Sequence, residues 1–376
     1  MRQATTMELN TDRHIVNWRL DTFTHTVQRD NVRPMATLPF VTLGIPCLNE
    51  EDFIEPLVRG ALAQDYPSDR FEVLVADGGS TDRTLEILER LSKEDCRLRV
   101  LHNPGKVQAA GMNEIIKAAR GDVLVRFDAH ADYAQDYVRK CIEVLGRTGA
   151  DNVGGGAKTR SKNWFQRAVC AALDSPLGVG GSRYRTEGQE GYVDTVWGGT
   201  FPRRIFETVG MYDPKAVVNE DAELNQRILE AGGKIYLSKE IIAYYYPRDS
   251  FRGLAKQYFK YGKGRARTLV KHRTFPTPRP AIPFLMVATG ALLLVVPPMQ
   301  ALAPLYFSSY GLLTAVEAVR VGRKAGVAAI PAIWAIFPVL HVAHGVGFGT
   351  GLIHFLRHPD WAEPERLAPR TTGAGE

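Results

Sequence analysis

The chain has 376 residues, 45% of them hydrophobic and 23% charged, which excludes a disordered chain and leaves room for one large globular domain plus a further segment. The formal net charge of +6 raises nucleic acid as a partner, but no RNP, zinc-knuckle or helix-turn-helix pattern accompanies the basic residues, so no nucleic acid is expected. Cys47, Cys96, Cys141 and Cys170 lie far apart with no CxxC spacing; they read as reduced thiols of a cytosolic compartment, neither zinc ligands nor a disulfide framework.

Residues 1–38 form a polar N-terminal segment without an apolar core of signal-peptide length, and secretion is not expected. The first strand signal, Phe40 to Pro46, runs into the turn Cys47-Leu48-Asn49-Glu50-Glu51, and a helix is predicted from about Asp52 to Gln64. Strand Phe71 to Ala76 ends in Asp77-Gly78-Gly79-Ser80-Thr81-Asp82. A second helix follows, with Ser80 or Thr81 as its cap and Leu85, Leu88 and Leu91 on one face. A third strand (Arg97 to Leu101) and a third helix (Val107 to Ala119) lead to a fourth strand, Gly121 to Phe127. This alternation predicts an α/β fold with a parallel sheet, right-handed crossovers and ligands at the carboxyl ends of the strands.

Those ends carry the unusual residues. The fourth strand runs into VRFDAHADY (Val125 to Tyr133), where strand geometry would project Asp128, His130 and Asp132 to one side. Two oxygen donors flanking an imidazole suit Mn²⁺ or Mg²⁺ placed to bind a diphosphate; a solvated loop with Asx turns is the alternative. Downstream, Asp151 to Lys158 is glycine-rich, either a strand with close backbone approach or a loop. Acidic Val218-Asn219-Glu220-Asp221-Ala222-Glu223-Leu224 opens a helix through Arg227 to Ala231. Strands are predicted at Ile235 to Leu237 and Ile241 to Tyr246, then an amphipathic helix from Phe251 to Tyr261 and a loop, Gly262-Lys263-Gly264-Arg265, able to approach a phosphate.

In order and spacing, VTLGIPCLNEE, EVLVADGGSTDRT, NPGKVQAAGMNEIIKAARGD and VRFDAHADY resemble the family-2 glycosyltransferases with the GT-A fold, a Rossmann-like mixed sheet, over roughly Phe40 to Tyr261. The resemblance implies that Pro46, Glu50 and Asp77 bind the uridine part of a UDP-sugar. Asn113, in the third of these segments, is carried over as a further donor-site residue. Asp128 and His130 become the metal pair, the second acid of the family's DxD being replaced by histidine, with Asp132 in reserve. Trp197 to Arg203 resembles the segment that closes on the donor sugar and brings in Gly199. The ED pair supplies the base: Asp221 as catalytic residue, beside Glu220. Gln257 and Lys260 occupy the place of QxxRW in processive members, with lysine for arginine and tyrosine for tryptophan, which favours addition of a single sugar.

From Ala281 to Val316 there is no charged residue, and a second apolar block runs from Ala325 to Phe355. Against about 20 residues per span, two to three transmembrane helices are expected within residues 273–356, following the GT-A domain at 39–272 and preceding a polar tail at 357–376. Basic residues from Lys256 to Arg279, and Arg320, Arg323 and Lys324 beyond, suit an anionic membrane face and a cytoplasmic catalytic domain on a bacterial inner membrane. The whole pattern resembles the glucosyltransferases of succinoglycan-type exopolysaccharide assembly. The expected activity is inverting transfer of one hexose, with glucose foremost, from a UDP-sugar to a lipid-linked saccharide. A polyprenyl-phosphate sugar synthase and a non-catalytic membrane scaffold are the alternatives.

Overall fold

A computed structural model of the chain describes residues 38–180, 188–274 and 277–370. Most of the polar N-terminal segment, residues 1–37, and the last six residues of the tail lie outside the described residues. The first half alternates as expected: β1 (Val41–Cys47), α1 (Ile54–Leu62), β2 (Phe71–Asp77), α2 (Thr84–Glu94), β3 (Leu98–His102), α3 (Gln108–Ala118) and β4 (Val123–Arg126). Every residue of β1, β2 and β4 is buried, the near-continuous apolar signature of parallel strands covered on both faces. The order β3-β2-β1-β4 is parallel throughout, and its register aligns Cys47 with Asp77 and Asp77 with His102, so the carboxyl ends form one rim.

Beyond β4 the sheet becomes mixed. The chain adds β5 (Ala131–Tyr133), α4 (Tyr137–Thr148), β6 (Asn152–Thr159), α5 (Trp164–Leu173), a single turn α6 (Pro176–Val179), β7 (Gly191–Tyr192), β8 (Trp197–Pro202), α7 (Arg204–Thr208), α8 (Glu220–Glu230) and β9 (Ile235–Tyr245). β8 pairs antiparallel with both β4 and β6, β6 runs parallel to β9, and β5 and β7 pair antiparallel with β9. The glycine-rich stretch is therefore a strand, and the close approach is real: a Cβ on Gly155 would collide with the Ile241 carbonyl oxygen. One long strand, β9, replaces the two expected there. Helices α1, α2 and α4 cover one face of the sheet through Ile54, Leu57, Leu88, Val138 and Ile142. On the other face α3, α7 and α8 pack through Met112, Ile115, Phe206, Leu224 and Ile228.

Helix α9 (Phe251–His272) is twice as long as expected. Gly262-Lys263-Gly264-Arg265 is not a loop: both glycines sit where the helix meets neighbouring backbone, Gly262 against the His344 carbonyl and Gly264 against Val218 and Asn219. The two apolar blocks form α10 (Ile282–Val295), α11 (Ala303–Ala325) and α12 (Ile330–Arg357). Among the described residues only α12, within the helical stretch Val327–Arg357, is alone long and apolar enough to cross a bilayer; α10 and α11 pass that test together but are bent by 114° at the break before Pro297. Gly347 and Gly351 of α12 lie against the backbone of Phe259 and Lys263, so small residues let α12 approach α9 closely. Toward its start, α12 joins α5 and α11 in a third apolar cluster that includes Phe165, Ala168, Val321, Ile333 and Phe337.

The tail after α12 folds back over the α/β domain. Arg267 Nε donates to the Asp360 carbonyl at 2.9 Å, Met211 N to Glu365 O at 2.8 Å and Leu367 N to Phe206 O at 3.0 Å. Leu367 is buried in the α3–α7–α8 core, and Arg370 pairs with Asp122 at 3.1 Å.

Candidate active site

The end of β1 and the turn after β2 are built as one unit. Asn49 adopts a left-handed conformation (φ 55°); its N–H donates to Ser80 Oγ at 2.8 Å, while its own Oδ1 accepts from Thr81 N at 2.8 Å. Asp77 Oδ2 accepts from Gly79 N at 2.9 Å and Ser80 N at 3.0 Å, and Ser80 Oγ donates to Oδ1 at 2.5 Å. Ser80 thus serves Asp77 instead of capping α2, whose first N–H, that of Thr84, is met by Asp82 Oδ1 at 3.0 Å. Buried at 3% exposure, Asp77 shapes the loop from beneath and does not line the adjoining cavity. Burial, then Asp77 and Glu50, push the Cys47 thiol well above its ordinary range, so it stays protonated.

That cavity, about 810 Å³, is lined by Pro46, Glu50, Phe53, Gln108, Asp128, His130 and Trp197. Strand β4 stops at Arg126, so Asp128 and His130 stand in the connecting turn rather than alternating along a strand. The turn is held by its own contacts: Asp128 N donates to Tyr133 Oη at 2.7 Å, and the Tyr133 ring stacks on Phe127 at 3.7 Å. His130 Nε2 lies 3.2 Å from Glu50 Oε1, with its ring edge-on to Phe53. Asp132 accepts from Tyr246 Oη at 2.7 Å.

A second cavity of about 520 Å³ adjoins the first and shares Gln108, Asp128, Trp197 and Tyr261 with it. Glu220 and Asp221, at the start of α8, form one wall; Gln257 and Lys260 of α9 line another. Asn219, left-handed at φ 61°, turns the chain into α8 and donates from Nδ2 to the Tyr261 carbonyl at 2.9 Å. Gln257 Nε2 donates to Tyr245 Oη at 3.0 Å and Tyr261 Oη at 2.9 Å, so the glutamine that matches QxxRW is linked to the tyrosine that stands for its tryptophan.

Arg126 lines the smaller cavity and links Asp128, which faces both, to Glu220; sequence reasoning missed it. Its guanidinium bonds Asp128 Oδ1 through Nε at 2.9 Å and Glu220 Oε1 through Nη2 at 2.8 Å, with only 7% of the side chain exposed. Asp128 Oδ1 also accepts from Gln108 Nε2 at 2.9 Å. Burial raises the Glu220 carboxyl above its ordinary range against the pull of Arg126, and neighbouring Asp221 adds to the rise. The signal was one cation closing an otherwise apolar buried strand, Val123-Leu124-Val125-Arg126. Behind the wall, Glu223 receives bonds from Arg227 and Lys271 and faces His272 at 3.1 Å, while Asp213 receives Arg267 at 2.7 Å, fixing α8 to α9.

Asn113 and Gly199 are not brought to the cleft. The Asn113 carboxamide is engaged in both directions with the Tyr212 backbone, at 2.8 and 2.9 Å. Gly199 is buried in β8 at φ 36°, where a Cβ would strike the Phe201 ring. Among the described residues no three His, Cys, Asp or Glu side chains converge as a metal group. Asp128 nevertheless keeps Oδ2 without a hydrogen-bond or ion-pair partner among them, and His130 stands half exposed on the same wall; one oxygen and one nitrogen donor fit a divalent cation that draws its other ligands from a diphosphate.

Residues 42–210 match the family model described as glycosyl transferase family 2. The chain is 37% identical over 317 residues, 83% of its length and 95% of the relative's, to the succinoglycan biosynthesis protein ExoA of Rhizobium meliloti. It is 30% identical, over 62% of its length and 74% of the relative's, to a dolichyl N-acetyl-α-D-glucosaminyl phosphate 3-β-D-2,3-diacetamido-2,3-dideoxy-β-D-glucuronosyltransferase of Methanococcus voltae. In fold it is similar to a mannosyltransferase of Pyrobaculum calidifontis solved with GDP-Man and Mn²⁺, with a TM-score of 0.57 at 19% identity, covering 86% of this chain and 90% of that one. A parallel rim that gathers the donor-side loops, a mixed extension that brings the ED helix against them, and these likenesses lead to one conclusion: the chain is a glycosyltransferase with the GT-A fold and belongs to glycosyl transferase family 2.

Proposed function

We propose that the protein transfers a single hexose, glucose foremost, from a UDP-sugar to a lipid-linked saccharide with inversion at the sugar carbon, in exopolysaccharide assembly on the cytoplasmic face of a bacterial inner membrane. The observation that carries the reading is Arg126, which ties Asp128 of the donor cavity to Glu220 of the ED pair in the adjoining one. The relative named for succinoglycan biosynthesis supports the pathway class, and the dolichyl-phosphate-linked name of the second supports a lipid-linked acceptor.

In this reading Pro46 and Glu50 take the uridine, and the Asp77 turn fixes the loop that holds them. Asp128 and His130 hold Mn²⁺ or Mg²⁺, which when bound neutralises charge on the leaving diphosphate. Asp221, on the cavity wall beside Glu220, takes the proton of the attacking acceptor hydroxyl. Glu220 is held by Arg126 and orients the turn before α8. Lys260, on another wall of that cavity, supplies positive potential toward the leaving group, and Gln257 sets the tyrosine pair beside it. A donor screen by UDP release, on membranes containing endogenous lipid-linked acceptors, tests the proposal; release from no UDP-sugar would refute it.

A further inference from the structure

A third cavity, about 840 Å³, continues from the catalytic one, sharing Thr195, Asn219, Tyr261 and Arg265 with it. Its far walls are apolar and come from the C-terminal helices: Met286 and Leu293 of α10, Leu305 and Leu313 of α11, Leu340 of α12. Its volume lies in the ~300–1,000 Å³ range of ligand cavities. One end is thus hydrocarbon-like, and the other opens onto Asp221's cavity.

The junction is cationic. Arg265 lines both cavities and has no hydrogen-bond or ion-pair partner among the described residues. His344 faces the same space with a buried Nδ1 that lacks a hydrogen-bond partner among them. The carboxylate on this wall, Asp194, is already neutralised by Arg279 at 2.5 Å. A planar guanidinium left free between an apolar cavity and a polar one suits a phosphate group that carries a hydrocarbon chain on one side and a polar substituent on the other.

We propose that this cavity binds the hydrocarbon chain of a phosphate-bearing acceptor lipid, with Arg265 on its phosphate, so that the sugar beyond the phosphate reaches Asp221. The inference rests on the lipid-linked acceptor argued above and adds to it where the lipid sits and what reads its phosphate. The continuity of the two cavities selects this occupant over a bulk membrane phospholipid, whose headgroup has no reason to point into the catalytic cavity.

The test uses the full-length protein in detergent and farnesyl phosphate as probe, with farnesol, inorganic phosphate and phosphatidylglycerol as comparators. Arg265→Gln is expected to weaken farnesyl phosphate binding by roughly tenfold or more, the effect of losing a charge-assisted hydrogen bond, while leaving farnesol unchanged. Met286→Trp and Leu313→Trp, which fill the apolar end from α10 and α11, are expected to weaken both farnesyl ligands while UDP with Mn²⁺ binds as before, which also reports that each variant is folded. Unchanged farnesyl phosphate affinity in Arg265→Gln, or in both filling variants, would overturn the proposal, as would phosphatidylglycerol displacing the probe at equal concentration. Failure of the wild-type protein to bind UDP would instead count against the transferase reading of the donor site, since the farnesyl arms do not depend on it.

Discussion

Replacing Arg126 with methionine keeps the length and apolar stem of the side chain and removes the charge between Asp128 and Glu220. In the native protein that guanidinium lies 2.9 Å from one carboxylate and 2.8 Å from the other, and Glu220 has only 6% of its side chain exposed. Taking away one partner of a buried ionic group costs about 3–5 kcal/mol, because the remaining charge stays buried. At about 2–4 °C per kcal/mol for a domain of this size, the unfolding midpoint should fall by roughly 6–20 °C. The loss should depend on pH. Glu220 is already raised by burial and loses its opposing cation, so its folded pKa rises further above the unfolded value. A carboxyl raised in the folded state contributes stability that is fully present below the unfolded pKa and lost as pH rises through the folded one. Arg126→Met should therefore be closest to wild type near pH 4 and furthest from it above neutrality. Adding Glu220→Gln should restore part of the loss, since Asp128, with 21% of its side chain exposed, can be solvated. Thermal melts of wild type, Arg126→Met, Glu220→Gln and the double variant at about pH 4.5, 6 and 8 measure this. Equal midpoints for wild type and Arg126→Met, or a deficit that does not change with pH and is not relieved by the second substitution, would refute the ionic bridge as the link between the cavities.

Asp128→Ala should abolish turnover, and His130→Ala should sharply weaken its metal dependence while the melt stays near wild type. Because imidazole is the softer donor, Mn²⁺ should support a faster rate than Mg²⁺, and full activity in excess EDTA would exclude this pair as metal ligands. Asp221→Asn should leave UDP affinity nearly intact and lower kcat by about 10²- to 10⁴-fold or more, with Glu220→Gln milder; calorimetry with UDP and Mn²⁺ beside single-turnover transfer separates the two effects. The intact chain should stay with membranes through a carbonate wash, and its recovery in a detergent-free soluble fraction would contradict the anchoring role of α10 to α12.

The first four strands were legible because each is a short apolar run ending in turn chemistry, and local pattern alone sets their boundaries. The mixed part of the sheet was not. Nothing local in Trp197 to Pro202 says that it lies between β4 and β6, and β5 is only three residues long. Gly262 and Gly264 read as loop formers because their usual signal is backbone freedom; here they serve helix contact, which depends on partners 45 to 86 residues away. At the site, sequence pointed to the acids but not to what joins them. Arg126 stands inside VRFDAHADY as the one cation of its strand, but its role comes only from Glu220, 94 positions later. The same limit applies to Asn113, whose amide is satisfied by Tyr212 across the fold.

The returning tail has a topological consequence. Residues 360–370 are stitched to the catalytic domain through Asp213, Phe206 and Asp122, so both polar ends of the apolar region stand on one side of any bilayer it enters. A chain so closed crosses an even number of times, which rules out α12 as a solitary crossing. Its partner in a two-crossing arrangement would have to be the bent pair, yet the pair is folded by 114° before Pro297 and neither of its halves passes for a span alone. In a membrane such a chain would hold α10 to α12 within one leaflet, with residues 360–370 on the same side as the cleft.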